Sequence, residues 1–288
     1  MNIEVAIVLG LLDGVILGFN IALVALGLSI VFGVMRIVNV SHGEFFMLGA
    51  VVAWYSVTLL NNFIIALIAA PLMVAGLAAV VDRFILRPIN YNPENTIVVT
   101  IGLLFIIQQL VHIIYGPYSR PVTPPIYFRV DFPWFGYSGY KIIIAGISAL
   151  LMVLTWFIIF KTKLGLYMRA TQQDSEIAQA FAVPVRRVYV TALALGSALA
   201  AVAGVLIAPV QQAYYLMGLD ALLISFMVVI IGGLGSLSGT LIAAFMVGVI
   251  DGIVSVFFSP TLARIVASLI VTLVLLLRPR GLFGAEAT

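Results

Sequence analysis

Long apolar runs separated by short polar connectors dominate the pattern of this chain. Nine runs are long enough, or nearly long enough, to cross about 30 Å of hydrocarbon as a helix. They lie at roughly 5–33, 43–61, 64–82, 96–115, 141–160, 187–209, 219–233, 239–258 and 262–277. We therefore predict an all-α, polytopic transmembrane helical bundle of eight or nine spans, eight if 219–238 is re-entrant.

Two segments, 32–46 and 231–240, interrupt the apolar pattern with glycine and small polar residues. Broken backbone at membrane depth survives only where protein or a water-filled cavity satisfies its amides. Paired breaks in the two halves of a transporter point to a substrate route, so the pattern allows two pseudo-repeated halves with broken helices. The alternative for the glycines is tight helix packing. The candidate substrate-pathway residues in these breaks are Asn39, Ser41, His42, Glu44, Gly232, Gly233 and Gly235.

The loop at 161–187 is polar in an otherwise apolar chain and carries seven of the 25 Lys, Arg, Asp and Glu residues. In its middle we predict one short helix, with Asp174 as N-cap, Glu176 in the first turn and Pro184 preventing continuation. The apolar residues of this helix form one small face on a helix outside the bilayer. They are Ile177, Ala178, Phe181 and Ala182.

Composition supports the membrane class, because 64% of residues are hydrophobic, 9% are charged and the mean hydropathy is +1.24. Globular domains carry about 25% charged residues. The absence of cysteine excludes disulfide and thiolate chemistry. Basic residues in short connectors set the orientation. If the 161–187 loop is cytoplasmic, ten basic residues share its side, whereas Arg120, Arg129, Lys141 and Arg264 lie opposite.

The opposite side then includes the loop 116–140, which holds five of the twelve prolines and many aromatic residues. Proline disfavours helix there, and the aromatics suit a membrane interface. This loop either lies on the lipid headgroups or docks an extracytoplasmic partner. The C-terminal tail is predicted to be cytoplasmic.

The intramembrane charges leave several chemistries open. His42 and Glu44 are not spaced as metal ligands, so we predict no metal site and no catalytic residue, with an intramembrane enzyme using this pair as an alternative. We interpret Arg36 and Arg264, near span ends, as snorkelling to the interface. The acids that a proton-coupled transporter would need are Asp13, Glu44 and Asp251.

Four segments resemble, in order, the signature motifs of branched-chain amino acid ABC importer permeases. Within 27–50, the stretch from Asn39 to Glu44 matches the motif N-x-[AS]-H-G-E. The loop 169–188, followed by the small-residue run 191–204, is similar to the ATPase-coupling region of that family. Segments 232–248 and 275–284 match its last motifs, so the resemblance runs in register from about residue 10 to residue 284.

The resemblance implies a single transmembrane permease domain over 1–288, which moves branched-chain, hydrophobic amino acids across the cytoplasmic (inner) membrane by alternating access. It further implies several partners: a second homologous permease, two cytoplasmic ABC ATPases that bind the ATP, an extracytoplasmic substrate-binding protein and the lipid bilayer. No nucleic acid is expected, and no cofactor should bind this chain. The implied coupling residues are Arg169, Gln172, Asp174, Ser175, Glu176, Ala178, Phe181 and Ala182.

The chain departs from the family at one point in the coupling region. The family usually has Leu-Gly where this chain has Phe181-Ala182, which predicts a different end for the short helix. Related permeases of the same fold carry urea and short amides, and these are the alternative substrates. A proton-coupled secondary transporter would account for the buried acids but not for a capped helix in the cytoplasmic loop.

An amino acid has a zwitterionic head and an apolar side chain, so its route needs hydrogen bonds at one end and an apolar wall at the other. For the polar side we predict Asn39, His42, Gln108 and Gln109. For the apolar side we predict Phe45, Phe46, Met47 and Phe105.

Overall fold

The computed structural model describes residues 3–278 and 281–283 and confirms a helical, polytopic membrane protein. Seven of the described helices are long and apolar enough to cross a membrane, and two shorter apolar helices begin at Met217 and Pro260. The helices are α1 (Ile3–Met35), α2 (His42–Leu60), α3 (Phe63–Val81, continued by a π-helical turn at Asp82–Leu86), α4 (Pro93–Tyr115), α5 (Gly139–Lys161), α6 (Lys163–Gln173), α7 (Ser175–Ala180), α8 (Val185–Gln211), α9 (Met217–Gly232), α10 (Leu237–Phe257) and α11 (Pro260–Leu277). Residues 279–280 and 284–288 of the predicted cytoplasmic tail lie outside the described residues.

Side-chain caps explain why these helices begin where the apolar pattern predicted. A cap accepts hydrogen bonds from the first backbone amides, which have no partner within the helix. Asn62 accepts from Ile64 at the start of α3, and Ser259 accepts from Leu262 at the start of α11. Polar residues in short connectors therefore fix the span ends. Helix α6 was not predicted.

Helices α1 and α8 form the centre of the bundle. Every residue of α1 from 20 to 31 is buried. Helix α1 packs along α10 and α8, while α8 also contacts α2 and α3. Large apolar side chains on α4, α5 and α11 are exposed, as Ile113, Val153 and Leu269 illustrate. Exposed apolar side chains of this kind suit helices that face lipid or another membrane subunit.

Glycines allow the central helices to approach closely. Gly27 of α1 packs against Gly196 of α8, and Gly49 of α2 packs against Ala201. A methyl group added to Gly204 of α8 would overlap the carbonyl oxygen of Phe46. Contact through small residues is a common packing mode of membrane helices.

Replacing Gly204 with alanine is expected to destabilise the bundle by about 1–3 kcal/mol, because backbone atoms cannot move aside as a flexible side chain can. Thermal unfolding of the purified protein in detergent measures this change. The matched control is Gly102→Ala in α4, where an added methyl group meets nothing within 4 Å. Equal unfolding temperatures for the two variants would contradict the packing argument.

The loop 116–140 contains a short antiparallel hairpin, β1 (Arg129–Asp131) and β2 (Gly136–Ser138). The Arg120 guanidinium lies over the Trp54 ring, 4.3 Å from its centroid, and the Arg120 and Ala213 backbones pair. These contacts attach the loop to α2 and to the α8–α9 connector. Several aromatic side chains of the loop, including Tyr118, Tyr127 and Trp134, remain exposed.

Candidate functional site

The first break, residues 36–41, returns along α1 instead of leaving the bundle. The His42 Nε2 atom lies 3.1 Å from the Val24 carbonyl oxygen. Val24 is about 16 Å along α1 from its last residue, Met35. Residues 36–41 therefore run back beside α1, and α2 begins deep within the bundle, with His42 fully buried.

A buried polar cluster holds the shape of this break. The Asn39 Oδ1 atom accepts hydrogen bonds from the amide and the hydroxyl of Ser41, at 3.1 and 2.7 Å. Gln108 of α4 donates to Glu44 Oε1 at 2.9 Å. Together with His42, these side chains are buried. The structure thus brings five predicted pathway residues together, and the Asn39–Ser41 bonds support an irregular segment at membrane depth. Among the described residues, His42 Nδ1 and Glu44 Oε2 have no hydrogen-bond partner.

Gln109 does not join this cluster. It follows Gln108 on α4, and neighbouring positions on a helix point about 100° apart. Gln109 and Phe105 are exposed on the outside of the bundle. By contrast, Phe45 and Met47 are fully buried in α2.

The second break, residues 233–236, separates α9 from α10. Gly233 and Gly235 have φ angles of +100° and +80°, which glycine adopts readily. Gly232 packs against Gly239, and its carbonyl oxygen accepts from the Phe283 amide at 3.2 Å. The last two motifs of the resemblance therefore meet at this break.

The 161–187 loop contains α6 and the short helix α7, and the predicted N-cap is confirmed. Asp174 Oδ1 accepts from the amides of Glu176 and Ile177, each at 2.9 Å. Ile177 and Phe181 are 57% and 80% exposed, whereas Ala178 is buried. The apolar face is thus divided, since Ala178 packs inward while the two large side chains project outward.

Arg169, predicted as a coupling residue, lies on α6, where its guanidinium lies over the Phe160 ring, 5.3 Å from the centroid. This contact holds α6 against the end of α5. Ser175, the first residue of α7, is partly buried.

Ala182 ends the short helix in a left-handed conformation, with φ of +61°. The Val183 amide donates to the Ala178 carbonyl at 3.0 Å, and the Ala182 amide donates to Gln179. This is a Schellman ending, in which glycine is the usual left-handed residue. Here alanine occupies the left-handed position. That Phe181-Ala182 gives this helix a different end from the family's Leu-Gly stays a prediction.

Replacing Ala182 with glycine is expected to stabilise α7 by about 1 kcal/mol, because glycine has no Cβ to strain a left-handed conformation. Slower hydrogen exchange of the amides of 176–183 would report the gain. The same change at Ala178, which is buried and helical, should accelerate exchange. Faster exchange in both variants would contradict the proposed strain.

The end of α6 is hydrogen-bonded to both breaks. Arg36 Nη2 donates to the carbonyl oxygens of Gln172 and Gln173, each at 3.1 Å. Gln172 Nε2 donates to the Gly235 carbonyl at 3.2 Å. We call this arrangement the α6 junction. Arg36 is exposed near the end of a span, and its charge also binds the negative C-terminal end of a helix.

A cavity of about 270 Å³ opens between α1, α2, α9 and α11, and we call it the Asp220 cavity. Asp220 and Arg264 form a two-point ion pair in its wall, with Nη1–Oδ1 and Nη2–Oδ2 distances of 3.1 and 3.4 Å. Arg264, near the start of α11, thus has a charged partner within the protein. Tyr214 donates to Asp220 Oδ2 at 2.9 Å. Burial raises the pKa of Tyr214 to about 12, and the hydrogen bond to Asp220 adds to this increase. The hydroxyl of Tyr214 therefore stays protonated.

Sequence reasoning missed the Asp220 cavity, and only the charged character of Asp220 beside an apolar run could have signalled it. Of the other acids, Asp13 forms an ion pair with Lys141, with an Nζ–Oδ1 distance of 2.6 Å, and accepts from Tyr137. Asp251 lines a second cavity of about 410 Å³ that shares Asp220 and Arg264 with the first. Within 3–278 and 281–283, no three His, Asp or Glu side chains converge as metal ligands would.

Comparison with known proteins gives one family. The family described as "Branched-chain amino acid transport system / permease component" matches residues 10–277. The chain is 26% identical to the high-affinity branched-chain amino acid transport system permease protein LivH of Salmonella typhimurium, over 94% of each chain. It is also 26% identical to the permease protein BraD of Pseudomonas aeruginosa, over 95% of this chain and 94% of BraD. The permease protein LivM of Escherichia coli is 24% identical, over 90% of this chain and 67% of LivM. No solved structure gives a significant match.

Proposed function

We propose that this chain, which belongs to the family of branched-chain amino acid transport system permeases, imports branched-chain amino acids across the cytoplasmic membrane with ATP hydrolysed by separate subunits. The chain is a membrane-embedded transport subunit and not an enzyme. Its proposed partners are a second permease, two cytoplasmic ATPases and an extracytoplasmic binding protein. Similarity to both LivH and LivM supports pairing of two related permeases.

The observation that carries the proposal is the α6 junction. Helix α7 presents Ile177 and Phe181 to solvent, as a docking surface for another protein requires. Directly before α7, the end of α6 is hydrogen-bonded through Arg36 to the first break and through Gln172 to the second. A force applied to α7 would therefore reach both irregular segments of the bundle.

On the opposite side, the exposed aromatic residues of the 116–140 loop are the proposed docking surface for the binding protein. Aromatic side chains supply much of the binding energy at protein interfaces. The hairpin and the Arg120 contacts hold this loop against the bundle. Substrate released there would enter beside the Asp220 cavity, because Ala213 connects the loop to the start of α9.

Uptake by proteoliposomes that contain both permeases and the ATPases tests the proposed function. Labelled leucine should accumulate when ATP is present on the ATPase side and the binding protein is present on the other side. An uncoupler that collapses the proton gradient should leave uptake unchanged. Accumulation driven by a proton gradient without ATP would establish secondary transport through the intramembrane acids instead.

A further inference from the structure

The Asp220–Arg264 pair joins the starts of two apolar helices beside two cavities. Asp220 lies in the first turn of α9 and Arg264 in the second turn of α11, and their side chains are 39% and 54% exposed. Charged side chains are costly in hydrocarbon, so such a pair faces water or another protein subunit. Both residues line both cavities, so a ligand in either cavity can contact the two charges.

The pair retains hydrogen-bonding capacity after its own bonds are made. A guanidinium has five N–H donors, and Arg264 uses two of them on Asp220. The Asp220 carboxylate accepts from Arg264 and Tyr214, which leaves acceptor capacity among its roughly four lone-pair sites. Asp251 lines the second cavity with Arg264 and adds a further acceptor. Donors for a carboxylate and acceptors for an ammonium group are therefore adjacent.

Beside the ion pair, the wall of the Asp220 cavity combines apolar residues with the polar side chains of Asn20, Gln211, Tyr214 and Ser225. Leu17, Ile21 and Val24 contribute from α1, and Phe46 contributes from α2. A volume of about 270 Å³ lies just below the roughly 300–1,000 Å³ of pockets that hold drug-sized molecules. The cavity thus offers paired charges at one side and an aliphatic surface at the other, at a scale that suits a single amino acid.

We propose that the Asp220 cavity is the site at which this permease first binds its substrate, a zwitterionic aliphatic amino acid. Arg264 binds the α-carboxylate, Asp220 binds the α-ammonium, and the side chain packs against Ile21, Val24 and Phe46. This inference rests on the proposed function and assigns substrate recognition to this site instead of to the Asn39–Glu44 cluster, whose polar side chains are buried within the bundle.

Binding of labelled leucine, leucine amide and the deaminated acid 4-methylpentanoate tests this assignment. The assembled permease and ATPase complex in nanodiscs, without the binding protein, is the sample. Wild type should bind leucine at least tenfold more tightly than either analogue. Arg264→Gln should lose the preference over the amide, and Asp220→Asn should lose the preference over the acid, because each variant removes the partner of one charged group.

The exchanged variant Asp220→Arg with Arg264→Asp separates recognition from a structural role. It retains an ion pair between α9 and α11 but reverses the order of the charges relative to the apolar wall. If the pair recognises substrate, the exchanged variant stays folded and leucine binding remains at least tenfold weaker. Recovery of wild-type binding would show that the pair only joins two helices, and would overturn the assignment.

Matched controls come from the exposed ion pair of the hairpin, Arg129 and Asp131, whose Nε–Oδ1 distance is 3.0 Å. Arg129→Gln and Asp131→Asn should leave leucine binding unchanged.

Unchanged binding in Arg264→Gln and Asp220→Asn would overturn the assignment. If those variants do not fold, Arg264→Lys, which keeps the charge but loses the two-point geometry, should still weaken binding. Failure of wild type to import leucine with ATP refutes the proposed function. Normal import by the Asp220 and Arg264 variants refutes only the assignment of this site.

Discussion

Replacing Phe181 with glutamate is expected to abolish transport by releasing the ATPases. Phe181 is 80% exposed at the end of α7, and no described element covers it. Burial of a phenylalanine side chain in an interface contributes about 1.5–3 kcal/mol. A carboxylate at the same place would lose that contribution and add the cost of desolvating a charge. The expected loss in ATPase affinity is at least about a hundredfold.

Co-purification of the ATPases with the solubilised permease measures this effect directly. Phe181→Leu is the matched control, because it keeps an apolar side chain and should keep both the ATPases and uptake. Membrane insertion should be the same in both variants, since Phe181 lies outside the apolar helices. Retention of the ATPases by Phe181→Glu, with normal uptake, would refute the assigned docking surface.

Replacing Arg36 with asparagine is expected to uncouple ATP hydrolysis from transport. Arg36 has a φ angle of +54°, and asparagine tolerates this left-handed conformation, so the change removes the guanidinium without adding backbone strain. Hydrogen bonds to charged groups contribute about 1.5–3 kcal/mol each. The variant loses both bonds from the first break to the end of α6. Helix α7, capped by Asp174, should still bind the ATPases.

The measurement is the number of leucine molecules imported per ATP hydrolysed in proteoliposomes, which should fall at least tenfold while hydrolysis continues. Arg83→Asn, at an exposed arginine in the π-helical turn after α3, is the control and should leave this ratio unchanged. Gln172→Ala removes the bond to Gly235 and should give a partial defect. A normal ratio in Arg36→Asn would show that force does not pass through the α6 junction.

Local chemistry explains how much of the 161–187 loop could be predicted. The cap at Asp174 depends only on amides two and three residues away, and the structure contains those bonds. The direction of each apolar side chain was not predictable, because Ala178 and Ile177 are neighbours and only the position of the rest of the bundle makes one of them buried. Helix α6 was missed since its sequence is polar and amphipathic and lies directly after a span.

The glutamine pair in α4 shows the same limit inside the membrane. Sequence chemistry selected both Gln108 and Gln109 as polar groups near the bilayer. Only the packing of α4 against α2 brings Gln108 to Glu44 and leaves Gln109 exposed. A helix that is apolar on every side gives no periodicity from which to tell its inner face.

The sequence by itself determined the membrane class, the positions of the apolar helices, the two breaks and the capped helix α7. Each of these follows from hydropathy or from contacts within a few residues of the chain. Tertiary structure alone decided the junction of Arg36 with α6, across 136 sequence positions, and the pairing of Asp220 with Arg264, across 44. Near span ends, a charge that snorkels and a charge that binds a distant partner have the same local sequence. Only the folded arrangement of helices distinguishes them.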